Sequence, residues 1–101
     1  MLIITRQAIE NLINRMDTPG ELEQCQDEIR RMLEIESELL WWAESGKCCR
    51  WQARPYFDSR IGILKDVLNS LNEDNTARAS SLLREYADQR EEYERGIILS
   101  L

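Results

Sequence analysis

The chain has no histidine, and its 101 residues include only two prolines, four glycines and one phenylalanine. Without histidine the commonest general base is missing. No nucleophile, base and orienting group can be assembled from the remaining spacing. No glycine-rich loop stands ready to cradle phosphate, and no carboxylate pair has metal-ligand spacing in a loop. No catalytic residue, metal ligand or cofactor is therefore expected, and the chain reads as a non-enzyme. The scarcity of proline and glycine favours long regular elements. Leu, Glu, Arg, Ile and Ala dominate, and they suit helices better than strands.

The three cysteines are odd in number, and Cys48 and Cys49 are adjacent, a poor geometry for a disulfide. No secreted disulfide framework is implied, so the reducing cytoplasm is the expected compartment. A zinc site would need all three thiols and a foreign ligand. Lys47 and Arg50 could make Cys48 or Cys49 reactive; small half-buried apolar residues in a loop is the plainer reading. The opening Met1-Leu2-Ile3-Ile4-Thr5-Arg6 lacks the basic start and long apolar stretch of a secretory leader. No apolar run approaches the roughly 20 residues needed to cross a bilayer, so no membrane contact is expected. With no internal repeat and no low-complexity tract, residues 1–101 read as one helical domain.

Thirteen lysines and arginines stand against 19 aspartates and glutamates, a formal charge of −6. Affinity for a nucleic-acid backbone comes from many cations neutralising phosphates, so this acidity argues against nucleic acid as a partner. Apolar residues make up 43% of the chain, enough to build a core and too many for a disordered chain.

Four helices can be read from the pattern. Thr5 is a ready N-cap, with Ile4 and Ile9 placed as a hydrophobic staple, and Ile9, Leu12, Ile13 and Met16 keep helical spacing. Thr18-Pro19-Gly20-Glu21 reads as the start of helix 2, Thr18 capping, Pro19 in the first turn and Glu21 reaching back. This helix should run to about Ser45, with Gly46 as its stop. Helix 3 opens at Pro55 or is capped by Asp58, and turns Ile61, Leu64, Val67, Leu68 and Leu71 inward. Asn72-Glu73-Asp74-Asn75 is a turn with a ready cap. Helix 4 carries Ala79, Leu82, Leu83, Tyr86 and Tyr93 and should stop near Gly96. The expected architecture is an all-α bundle of three or four helices with one long central helix, about 18–45. At roughly 40 Å that helix exceeds what a small domain covers, which points to a dimer formed along it. The apolar ends, Leu2-Ile3-Ile4 and Ile97-Ile98-Leu99, should pack on the bundle; pairing as short strands is the sharper alternative.

On a helical wheel Leu22, Cys25, Ile29, Met32, Leu33, Leu40 and Ala43 share one face of helix 2, and Glu36 falls near its middle. Arg90 sits inside the apolar stripe of helix 4 in the same way. Two opposite charges at core-facing positions point to a buried ion pair, Glu36 with Arg90, within the chain or across a dimer seam. The plainer alternative has each side chain bending out to water.

Residues 41–57 hold every Trp and the only Phe, together with Lys47, Arg50 and Arg54 against Glu44 alone. Trp, Tyr and Arg dominate the energetic centres of binding surfaces. Trp41, Arg50, Trp51, Arg54 and Tyr56 are therefore the candidate contact residues for another protein, with homodimerisation expected alongside. Trp42, Trp51, Tyr56 and Phe57 could equally form a mini-core at the bundle end. Opposite the core face of helix 2, Glu23, Asp27, Glu34 and Glu38 make an acidic ridge that also carries Trp41. Such a row could imitate DNA phosphates, as small phage or mobile-element antagonists of nucleic-acid enzymes do. Pairing of Asp27 with Arg31 and of Arg30 with Glu34 would blunt it. A third reading uses the aromatic-basic stretch 47–57 to bind nucleic acid or a small ligand by stacking.

Overall fold

The computed structural model describes residues 5–45 and 54–100, without the side chains of residues 43, 54 and 93–100. All the regular structure among the described residues is helical, in four elements: α1 Arg6–Met16, α2 Leu22–Glu44, α3 Arg54–Asn72 and α4 Thr76–Ser100.

Each boundary has a local cause. Thr5 is extended, and its Oγ1 accepts a hydrogen bond from the Ala8 amide at 3.1 Å, which starts α1. Thr18 does not cap α2, contrary to the sequence expectation. The Glu21 amide donates to the Thr18 carbonyl at 3.2 Å, closing a turn over Pro19 and Gly20, and Gly20 has φ +85°. Proline second and a positive-φ glycine third are the residues such a turn demands, and that backbone cannot continue as helix. The Thr18 hydroxyl instead donates back to the Asn14 carbonyl at 3.4 Å. Helix α2 begins only after Glu21, whose carbonyl accepts from the Cys25 amide at 3.0 Å. At its far end the Ser45 hydroxyl donates to the Trp41 carbonyl at 2.8 Å; Gly46 lies outside the described residues.

Helix α3 opens at Arg54 with Pro55 in its first turn, where a missing amide hydrogen costs nothing. Asp58 is thus inside the helix and is not its cap. Between α3 and α4 the Asn75 amide donates to the Ser70 carbonyl at 2.8 Å. Asn75 Oδ1 then accepts from the Arg78 amide at 3.1 Å and caps α4. Helix α4 does not stop at Gly96 but continues to Ser100. One glycine costs a helix only about 1 kcal/mol and, with no proline behind it, does not end one. Residues 97–100 are therefore helical rather than a strand, and Leu2-Ile3-Ile4 lie outside the described residues.

The helices pack in a ring: α1 lies against α2 and α4, and α3 closes the other side against the same two. Their main core gathers Ile9, Leu12, Ile13 and Met16 of α1, Cys25, Ile29 and Met32 of α2, Ile63, Leu64, Val67 and Leu71 of α3, and Ala79, Leu83, Tyr86 and Ala87 of α4. The buried face of α3 is rotated from the expected one. Phe57, Arg60, Ile63 and Ser70 are buried beside Leu64, Val67 and Leu71, while Ile61 and Leu68 are only half-buried.

Helix α1 runs antiparallel to α4, since Arg6 pairs with Asp88 and Glu91 whereas Glu10 pairs with Arg84. It has 11 residues against 23 in α2 and 25 in α4. Past Arg6 the described array consists of α2, α3 and α4 alone. That three-helix end encloses a second, smaller apolar cluster, Phe57 with Leu39 and Leu40.

Candidate functional site

Two features stand out at the junction between these cores and the end beyond it. The first is a buried polar layer. Glu36 is 0% exposed, and both its oxygens are occupied. Oε2 accepts from Arg60 Nε at 3.1 Å; Oε1 accepts from Tyr86 Oη at 2.8 Å and from Arg90 Nη1 at 2.6 Å. One carboxylate of α2 thereby ties α3 and α4 together. Glu36 and Arg90 meet within the chain, and Arg60 and Tyr86 join them. The Arg60 guanidinium also lies 4.9 Å from the centroid of the Phe57 ring, a cation–π contact at the boundary of the second cluster. Burial, and then the Glu36 carboxylate, hold the Tyr86 phenol well above its ordinary range, because each disfavours a second negative charge there.

Arg60 is the residue that sequence reasoning missed. Its signal was present: it falls on the Phe57, Leu64, Val67, Leu71 stripe at spacings of three, four and seven. It is a charge on an apolar face, as Glu36 is on α2.

The second feature is the aromatic end. Phe57 meets Leu39 and Leu40 while Arg60 meets Glu36, so α2 and α3 run antiparallel. Trp41, five residues beyond Glu36, and Tyr56, four before Arg60, therefore lie at the same end. Trp41 is 53% exposed and Tyr56 38%, the large hydrophobic side chains that the described residues leave most open. Trp42 is half-buried and meets Trp41 edge to face, ring centroids 5.1 Å apart. The aromatic segment thus divides. Phe57 is core, Trp42 is partly covered, and Trp41 and Tyr56 face solvent. Arg54 opens α3, and Arg50, Trp51 and the cysteine pair lie outside the described residues.

Glu23, Asp27, Glu34 and Glu38 are all exposed along α2, over about 22 Å. Arg30 turns back to Asp27, Nη1 to Oδ1 at 2.9 Å, rather than forward to Glu34. Glu23, Glu34 and Glu38 have no cation partner among the described residues. Cys25 is fully buried, with Sγ 4.0 Å from the Leu12 carbonyl, and serves packing. Among the described residues no group of three His, Cys, Asp or Glu is placed to hold a metal, and no helix is long and apolar enough to cross a membrane. No protein-family model, curated protein or solved structure matches the chain.

Proposed function

We propose that this chain is a non-enzymatic, cytoplasmic helical bundle that acts by binding another protein and associates with itself along α2, its long central helix. The observation that carries this is Trp41, 53% exposed on α2 at the end where Tyr56 also opens to solvent. Large aromatic surface left in water is unfavourable unless something covers it, and Trp and Tyr are the residues that anchor protein contacts. Glu36, the most buried acid, is saturated by three donors and has no acceptor capacity aimed at a substrate. It therefore suits a structural role better than proton transfer.

The test compares wild type with Trp41→Ala by size exclusion with light scattering and by retention of proteins from an extract of the source cells. The expected result is a wild-type dimer, and a retained protein that Trp41→Ala loses at unchanged melting temperature. If Trp41→Ala keeps both the same mass and the same retained proteins, the reading falls.

Glu23, Glu34 and Glu38, exposed and without a cation partner among the described residues, favour a second reading, an acidic inhibitor occupying the nucleic-acid site of an enzyme. Reversal of Glu34 and Glu38 to lysine would then abolish competition with nucleic acid while leaving stability little changed. Unaltered competition would dismiss it.

A further inference from the structure

Helix α1 is fastened to the bundle by solvated charges. Arg6 pairs with Asp88 and Glu91 of α4, Glu10 with Arg84 of α4, and Arg15 with Glu28 of α2. Each of these side chains is at least 35% exposed. The Glu36 contacts that join α2, α3 and α4 are buried instead. Exposed ion pairs are individually weak and screened by salt, so α1 is the element most easily released. Between its charges Ile9, Leu12, Ile13 and Met16 enter the main core at spacings of three, four and seven. That is the pattern of an amphipathic helix laid in a groove, with the helix supplied by the same chain. The linker to α2 is short and its hydrogen bonds are local. Residues 17–20 are exposed, the Thr18 and Glu21 amides donate to the Arg15 and Thr18 carbonyls, and the Thr18 hydroxyl donates to the Asn14 carbonyl.

We infer that α1 exchanges between two copies of this chain. It leaves its own groove between α2 and α4 and docks in the same groove of a second copy, which returns its α1. A second copy is the occupant whose charges match: Arg6 and Arg15 meet Asp88, Glu91 and Glu28, and Glu10 meets Arg84. Every contact of α1 is reproduced in the exchanged pair, so the two states differ in the linker and in the entropy of association. The linker lies at the end of the bundle where α2 begins and α3 finishes, opposite Trp41. The exchanged pair is therefore joined at that end, and both aromatic ends point outward. This contact needs neither Trp41 nor the exposed face of α2, so it is separate from association along α2.

The experiment is a charge-exchange complementation on the full chain. Arg6→Glu repels its own Asp88 and Glu91, and the double variant Asp88→Lys, Glu91→Lys repels its own Arg6. In an exchanged pair both α1 helices again meet opposite charges. The two proteins are mixed at about 1 mM each, near the effective concentration that a short linker provides, with only Arg6→Glu labelled with ¹⁵N. The mixture should show the mass of a dimer by light scattering. The labelled α1 amides should exchange hydrogen about tenfold more slowly than in Arg6→Glu alone, the factor for two exposed ion pairs. Monomer masses with unchanged α1 exchange would overturn the inference. A second variant, Pro19→Ala with Gly20→Ala, covers a charge variant that does not fold. It puts helix formers in the linker, favouring a straightened connection, and leaves the groove unaltered. Its dimer fraction should exceed that of wild type, and an equal or smaller fraction would also overturn the inference. Trp41→Ala separates the two contacts. If the mixed dimer forms while Trp41→Ala keeps its mass and its retained proteins, exchange stands and the reading along α2 falls. If Trp41→Ala dissociates the wild-type dimer and mixing produces none, exchange falls and association along α2 stands.

Discussion

Arg60 places both Nε and Nη2 at 3.1 Å from the same oxygen, Oε2 of Glu36, and neither side chain is more than 1% exposed. Two arginines and a tyrosine thus share one carboxylate. The acid is the acceptor that all three side chains have in common, so its loss removes the contact that joins them.

Glu36→Ala should be the most damaging single substitution in the layer. Breaking a buried pair by removing one partner costs about 3–5 kcal/mol, which for a domain of this size lowers the melting temperature by about 12 °C or more. Arg90→Ala should cost less, because Arg90 keeps 20% side-chain exposure and Arg60 still neutralises the acid. Urea midpoints at pH 7 check the order, and a Glu36→Ala protein as stable as wild type would refute the account.

Alkaline pH should weaken the fold through Tyr86. Its folded phenol titrates well above the unfolded value of about 10, so between the two the folded state holds a proton that the unfolded chain has released. The stabilisation is complete below pH ~10 and falls above it by up to about 1.4 kcal/mol per pH unit. Tyr86→Phe should remove that part of the slope while lowering stability at pH 7. Denaturation between pH 8 and 11 distinguishes the two proteins.

Gly20 and Asp74, the positive-φ positions among the described residues, should respond in opposite directions. Gly20 has φ +85°, and a Cβ added there would meet nothing within 4 Å. Gly20→Ala is therefore opposed by the backbone alone and should cost about 1 kcal/mol. Asp74 holds φ 57° on an exposed turn, and Asp74→Gly should stabilise by about 0.5 kcal/mol. Thermal melts of both variants are sufficient.

Arg6 clamps α1 to α4 through Asp88 and Glu91, the Glu91 contact measuring 2.7 Å. Arg6→Ala should speed hydrogen exchange of α1 amides and leave α3 unaffected. Because these charges are partly solvated, 1 M salt should produce much of the same loosening in the wild type. Equal protection of α1 in both proteins would show the clamp to be inert.

Much of this organisation was legible where the signal is local. Thr5 and Asn75 announce their caps by residue type, and Cys25 and Glu36 declare their inward placement by helical spacing. Thr18 misled because Thr-Pro-Gly-Glu spells both a helix start and a turn; only the left-handed backbone at Gly20 separates them. Arg60 was overlooked because a charge beside an aromatic reads as surface until a partner on another helix is known. Gly96 misled because glycine marks a helix end only when the following backbone departs from the helix. The exposure of Trp41 was not decidable from spacing. Consecutive Trp41 and Trp42 point 100° apart on a helix, and which of them the neighbouring helices cover depends on packing that no local pattern records.

The polar layer has one further consequence. Apolar contacts are non-directional, so Phe57, Leu39 and Leu40 at one end and the larger cluster at the other would tolerate helices slid along one another. A slide of one turn, about 5.4 Å, would carry Arg60 and Arg90 out of reach of Glu36 and leave its fully buried carboxylate without them. The layer therefore works as an index mark, admitting a single alignment of α2, α3 and α4 from a set that hydrophobic packing alone would leave nearly equivalent.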